Sequence, residues 1–559
     1  MKVRRAGLLS TAMVVAIGTV WAADPAPPAG TSAEVQQLKE LLVKQQEQIE
    51  ALRQALAAQQ KALTAMEAKT APAATPAQRA TSPDRLVASG APMLVPSSSS
   101  SGTPSPKLDT PLPAPAPQAP APNTNPLQLQ LGNVSIMPVG FMDLTTIWRN
   151  ENTGSGIGSN FGSIPFSNAV PAGKLSEFRF SPQNSRLGFR VDGNWKGAHF
   201  IGYNEFDFLG TSGTNNIGVT NGAFVPRIRL YWVDVQKGKF EFLAGQSWSM
   251  MTPNRKGISA LPGDLFYGQV MDVNYIVGLT WTRQPGIRFL YHPSRQVTMG
   301  LSFENPNQYG GGYGGATTIV TPAALTSLTT NQIDTGGASY LSTPNVHPDI
   351  IAKIAFDPSS KAHIEVAGID RTFRVVNPNT LQTFAKAGVG GSVNANFELF
   401  KGFRLITNNY WSDGGGRYLF GQSPDVILRA DGSLSPIHAG GMVQGFEATV
   451  NPKVQLWAYY GAVYIGRNTA IDTNGKPVGW GYSGSSNGMN RTVQEATFGL
   501  THTAWKDPRY GALSFIYQYA YETRNPWSVA AGQPSNAHDN SLYFNIRYTL
   551  PGAPPPAEK

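Results

Sequence analysis

The sequence predicts an all-β protein, a 16-stranded antiparallel transmembrane β-barrel preceded by a short α-helical coiled coil. Three observations predict it. Short strands of alternating polarity recur from residue 127 to residue 550 with ionisable groups on one face; tight turns and long loops alternate between them; and no apolar run after the N-terminal one is long enough for a membrane helix. Composition agrees. Of 559 residues only 14% are charged, 59 are Gly, 10% are aromatic and none is Cys, which suits turn-rich aromatic strands and leaves no disulfide framework, thiolate chemistry or lipid-anchor cysteine.

Residues 1–22 read as a signal peptide. Lys2, Arg4 and Arg5 precede the apolar run Ala6 to Val20, and Val20-Trp21-Ala22 supplies the side chains that a signal peptidase reads. A retained membrane helix is the alternative, but the run falls short of the ~20 residues that a bilayer span needs. Residues 33–69 carry a different period. Val35, Leu42, Ile49, Leu56 and Leu63 recur every seven residues, and Leu38, Gln45, Leu52, Gln59 and Met66 follow three on, an a/d seam set among Glu, Gln, Lys and Ala. So narrow a stripe needs partners. Two Gln layers cost stability but set register, and the seam reads as a parallel homotrimer, with a dimer and a lone surface helix as alternatives. Residues 70–126, ending PLPAPAPQAPAPNTNP, hold too few apolar side chains to fold and read as an extended linker, a plain spacer rather than a motif for a periplasmic partner. Residues 551–559, PGAPPPAEK, form a C-terminal tail.

Within the barrel, 127–550, the alternation is regular. In SLYFNIRYTL, Leu542, Phe544, Ile546, Tyr548 and Leu550 fall on one face and Ser541, Tyr543, Asn545, Arg547 and Thr549 on the other. NSRLGFRVDGNW sets Leu187, Phe189 and Val191 opposite Arg186, Arg190 and Asp192; PRIRLYW sets Ile228, Leu230 and Trp232 opposite Arg227, Arg229 and Tyr231; VTMGLSFE sets Val297, Met299, Leu301 and Phe303 opposite Thr298, Ser302 and Glu304. Tight turns at 195–198, 237–239, 292–295, 357–361, 400–402, 451–453 and 506–511 alternate with long loops at roughly 150–181, 211–224, 249–279, 305–348, 375–384, 414–439, 467–490 and 524–538. Seven turns and eight loops join sixteen strands, with both ends of the barrel on the short-turn side. That is the layout of an outer-membrane barrel, whose apolar face meets lipid and whose polar face lines a lumen wide enough for water. A soluble sandwich also has polar faces but does not explain the alternation of connections.

A resemblance adds to this reading. NSRLGFRV, FLAGQSWS, FYGQVMD, TRQPGIRFLY and LSFENPN, in that order behind the heptads and linker, resemble the DcaP-like trimeric porins of Gram-negative outer membranes. The resemblance runs from the heptads to residue 550 and is clearest between about 184 and 307. It implies a homotrimer of sixteen-stranded barrels in the bacterial outer membrane, a coiled coil in the periplasm, and uptake of small, often anionic solutes such as dicarboxylates. Outer-membrane lipid and lipopolysaccharide are the expected surroundings. One departure stands out: the last strand ends at Leu550 rather than in a terminal aromatic.

The lumen's preference is read from its lining. Arg186 and Arg190 lie on the second strand, Arg227 and Arg229 on the fourth and Arg547 on the last, so five guanidinium groups share one wall, with Glu205 and Asp207 of the third strand among them. Arg288 and Arg404 complete the expected pore-lining set. Such forks suit carboxylates, but Arg residues paired within the wall to support it are the other reading. The loop after the fifth strand carries Arg255, Lys256, Asp264 and Asp272, with Pro253 and Pro262 to stiffen it, and is expected to fold inward as a constriction; a lid outside the barrel is the alternative. The chain reads as a non-enzyme. The seven His have no ligand or triad spacing, the glycine runs at 309–315 and 388–393 lack the strand-to-helix setting of a phosphate loop, and no cofactor or metal is expected. A net charge of +9, about +6 without the signal peptide, does not point to nucleic acid. Two function classes remain: a diffusive porin, and a structural or adhesive barrel working through its loops and stalk.

Overall fold

The computed structural model describes residues 126–210, 224–262, 269–328 and 343–551. The signal peptide, the heptads, the linker, Asp264 and the tail beyond Pro551 lie outside the described residues. Sixteen antiparallel strands form one sheet that closes on itself. They are β1 (Val134–Arg149), β2 (in two pieces, Glu177–Ser181 and Arg186–Trp195), β3 (Ala198–Gly210), β4 (Val225–Lys237), β5 (Phe240–Trp248), β6 (Arg283–Tyr291), β7 (Val297–Glu304) and β8 (Asp349–Ser359). The second half holds β9 (Ala362–Val376), β10 (Thr383–Phe400), β11 (Phe403–Asp413), β12 (His438–Asn451), β13 (Val454–Ile465), β14 (Asn490–Asp507), β15 (Gly511–Pro526) and β16 (Ala537–Thr549). Closure is made by β1, which pairs Phe141 with Thr549 of β16 on one side and with Arg186 of β2 on the other. No strand edge is left unpaired around the ring, as a barrel in lipid requires.

Alternation does what lipid demands. On β7, Met299 and Leu301 are exposed while Ser302 and Glu304 are buried; on β16, Leu542 and Ile546 are exposed while Tyr543, Asn545 and Arg547 are buried. Aromatic side chains ring the short-turn end of the outer face: Trp195, Phe240, Tyr291, Phe400, Trp505 and Tyr510 are exposed there. His502 shares this face and stacks on Phe515.

Two expectations are corrected. Leu230 and Trp232 do not face lipid: a bulge pairs Glu205 with Leu230 but Phe206 with Ile228, so Arg229 and Leu230 both turn inward. Beyond it the parity flips, leaving Tyr231 60% exposed and Leu230 fully buried. Nor is the interior uniformly wet. Met137, Val139, Phe141, Ile201, Tyr203, Leu243, Ile351, Ile369, Phe373, Val443 and Trp457 point inward and belong to one large apolar cluster with residues of the loop after β5.

Candidate functional site

The segment after β5 runs from Ser249 to Thr282, and its described residues, 249–262 and 269–282, pack inside the wall of the barrel. Met250, Met251, Ile258, Val270, Ile276, Val277 and Trp281 are all buried, and carboxylates of distant strands hold its backbone. The amides of Met250, Gly257 and Val277 donate to Glu304 (2.8 Å), Asp357 (2.9 Å) and Glu495 (3.0 Å). Side-chain amide oxygens of Gln518 and Asn408 accept from Met271 (2.5 Å) and Thr280 (3.1 Å). Arg255 reaches across to Glu447 with two bonds of 2.8 and 2.7 Å, and Lys353 Nζ donates to the Thr252 carbonyl at 2.9 Å. Of the four loop residues singled out in the sequence, Arg255 is thus clamped to β12, and Lys256 is exposed. Asp272 is buried far from β12, accepting from the Ser159 amide (2.8 Å) and the Tyr543 hydroxyl (2.7 Å).

Glycines make the seat. A Cβ on Gly461 of β13 would overlap the Val277 carbonyl oxygen, far inside the 3.0 Å that real Cβ atoms keep, and a Cβ on Gly278, at φ +83°, would also overlap the carbonyls of Met442 and Ala462. The loop backbone rests directly on the wall there.

The Arg wall is present, and it is ion-paired. Arg547 bonds Asp143 (2.8 and 2.5 Å), Arg190 forks onto Asp192 (both 2.7 Å), and Arg227 forks onto Asp207 (3.1 and 2.8 Å). Arg229 bridges Glu205 and Asp207. Arg186, fully buried, stands 3.7 Å from Glu205 with its guanidinium over the Phe141 ring. Arg283, missed in the sequence, stacks on Trp248 beside them. Tyr275 of the loop, held at φ +65°, meets edge-on the same Trp248 ring that Arg229 and Arg283 stack against, at 5.8 Å between centres, so the loop touches this wall as well as the far one. Arg288 is spent on the Trp248 carbonyl at 2.6 Å. Arg227, with 20% of its side chain open, and Arg404, with 26%, are partly exposed, the latter bonded to Asn396 and Glu398.

Two further clusters escaped the sequence reading. Loop 414–437 also turns inward: Arg417 and Arg371 converge on Asp349 (2.6 and 2.9 Å), Arg371 reaches Asp425 (2.9 Å), and Phe420 stacks on Trp281. On β14, β15 and β16, Glu495, Glu522 and Asp539 are direct cross-strand neighbours, all buried, with Arg149 paired to Glu177 (2.8 Å) and 3.8 Å from Asp539. At the top of this ladder, in the loop beyond β1, burial and then the Asp539 carboxylate push the Glu151 carboxyl above its usual range. Parity could have found the strand members, since Arg149, Asp349, Arg371, Glu495, Glu522 and Asp539 each lie an even number of residues from an inward-facing neighbour on the same strand.

A closed, sixteen-stranded antiparallel barrel with lipid-ready flanks and a charged interior is the architecture of outer-membrane porins. Among solved structures it is similar to the outer membrane channel DcaP of Acinetobacter baumannii, at 16% identity and a TM-score of 0.53 over 75% of this chain and 99% of that one. An anion-selective porin from Comamonas acidovorans matches at 13% identity and TM-score 0.42, covering 75% of this chain and all of the other. OmpF of Salmonella typhi matches at 7% identity and TM-score 0.43, over 76% of this chain and all of that one. No family model matches the sequence, and no curated protein matches it.

Proposed function

We propose that this protein is a trimeric outer-membrane porin that passes small hydrophilic solutes, with a preference for anionic carboxylates, through a passage narrowed by the loop 249–282. The observation that carries the reading is the inward face itself: six guanidinium groups (Arg186, Arg190, Arg227, Arg229, Arg283 and Arg547) stand with five carboxylates (Asp143, Asp192, Glu205, Asp207 and Asp234) on the stretch of wall from β16 through β1 to β6. A surplus of positive charge in a narrow, low-dielectric passage concentrates anions; where the lumen is wider than ~8–10 Å, salt screens it. The support for passage narrowing is the row of hydrogen bonds from the loop to β7, β8, β12, β14 and β15. The heptads at 33–69 support trimerisation, and the signal peptide supports export.

The test is conductance of the purified full-length protein in a planar bilayer. Steady steps in triplets, with a reversal potential of anionic sign in a potassium chloride gradient, support the proposal. The second reading, a structural barrel, draws on the depth to which the two inward loops bury the wall; electrical silence would favour it.

A further inference from the structure

A charged patch on the outer rim is not part of the lumen. Trp527, the first residue after β15, donates its indole N–H to the Ile465 carbonyl at 3.0 Å, which lays the ring across the ends of β13 and β14. Two guanidinium groups stack on that one ring, Arg467 at 4.6 Å and Arg491 at 5.8 Å from its centre. Both arginines are exposed, and neither has a carboxylate in ion-pair range among the described residues. Two exposed cations gathered on one ring with no acid beside them are opposed by like-charge repulsion.

The backbone is bent to make it. Asn490 pairs with Pro526 and Thr492 with Asn525, so Arg491 is the extra residue of a bulge. Asn490 faces in and donates to the Gly162 carbonyl; Thr492 faces out and accepts from Asn525. Without the bulge, strand parity would place Arg491 with buried Val493. The level is set by Tyr464, which meets Trp527 edge-on, and by Tyr521; both are exposed on the lipid-facing side at the long-loop end. Tyrosines at that height mark the boundary between acyl chains and headgroups.

We infer that Arg467, Arg491 and Trp527 form a binding site for the phosphate of an outer-leaflet glycolipid headgroup. Two guanidinium forks, at most about 10 Å apart across one ring, can close on a phosphate with parallel N–H···O bonds, and an anion between them removes their repulsion. The Trp527 and Tyr464 rings offer the sugar and the first methylenes an apolar bed.

The experiment is native mass spectrometry of the full-length protein in detergent, titrated with lipid A carrying both phosphates, with the same lipid A stripped of phosphate, and with inorganic phosphate as competitor. The wild type should retain phosphorylated lipid A at least about tenfold better than the stripped form, the loss expected when one charge-assisted contact is removed. The double variant Arg467→Gln/Arg491→Gln should lose that difference while keeping its oligomeric mass and its conductance; Arg467→Lys/Arg491→Lys should keep part of it. Equal retention by wild type and the Gln variant overturns the inference. So does displacement of the lipid by an equal concentration of inorganic phosphate, which would make this a free-anion site. A Gln variant that changes subunit number instead of lipid retention assigns the patch to a contact between copies of the chain, and overturns it too.

Discussion

Gly461→Val tests whether the loop 249–282 lies where conduction is decided. A side chain at 461 grows straight into the Val277 carbonyl oxygen, and ordinary contact does not begin until 3.4 Å, so the loop backbone must withdraw by about 1 Å or more. The Val277 amide now donates to Glu495 Oε2 at 3.0 Å, and a shift of that size takes the bond out of range. Glu495 Oε1 already has no partner, so a buried carboxylate loses its hydrogen bond altogether, at a cost of about 1–3 kcal/mol. Taking about 2 kcal/mol, the population of barrels with this loop segment lifted rises roughly thirtyfold. Single-channel recording should show larger and noisier steps than the wild type. Gly391→Ala is the control, because its Cβ meets only the Ala367 carbonyl at an ordinary 3.4 Å, on the outer side of the wall. Wild-type conductance and noise in a folded Gly461→Val protein would refute the idea that this contact holds the passage narrow.

Other consequences can be checked separately. Replacing two partly open arginines, Arg227→Ser with Arg404→Ser, should shift the reversal potential toward cations, most clearly at low salt; Arg229→Ser should instead lower stability, because it leaves buried Glu205 with only Arg186 at 3.7 Å while Asp207 keeps Arg227. Glu522→Gln should raise the thermal midpoint in detergent, by about 1 kcal/mol of stability, since it removes like charge from between two directly opposed acids. Glu151 has a raised carboxyl, so its favourable share of stability is present below the ordinary carboxylate range and is lost as pH rises through the folded value; Glu151→Gln should flatten that part of a stability-against-pH curve. Asp at Leu42, Ile49 and Leu56 together should abolish self-association of a peptide covering residues 33–69, read by sedimentation, and a monomeric wild-type peptide would end the coiled-coil reading.

Much of the barrel was legible because lipid enforces a period of two. Leu542 to Tyr548 and Val297 to Phe303 face as their alternation dictates, and every tight turn read from the sequence joins two strands. The loop after β5 could be singled out from its place and length. The bulge at Arg229 and Leu230 was not, because no Gly or Pro marks it and register there is set by β3 on one side and β5 on the other. In VSIMPVGFM of β1 both faces are apolar, so the string could not say that Met137, Val139 and Phe141 point inward. The ion pairs were hidden for a different reason. Arg417 and Asp349 are 68 residues apart, and only the closed sheet brings them together. Loop 414–437 looked like ordinary turn chemistry because its Gly and Ser are spaced as in any surface loop, while its Arg417 pairs with Asp349 of β8 and its Asp425 with Arg371 of β9.

The same bonds that hold the loop 249–282 to its far partners have a consequence for biogenesis. Met271 meets Gln518 across 247 residues of chain and Val277 meets Glu495 across 218, contacts that exist only after β14 and β15 have been made. Strands β1 to β5 can pair while the segment that follows them still has nothing to hold. The remaining eleven strands must then wrap around it, and the seam between β1 and β16 shuts with the segment already inside. Docking of that segment is therefore among the last events of assembly, and a chain whose seam closes first would leave it stranded on the outside.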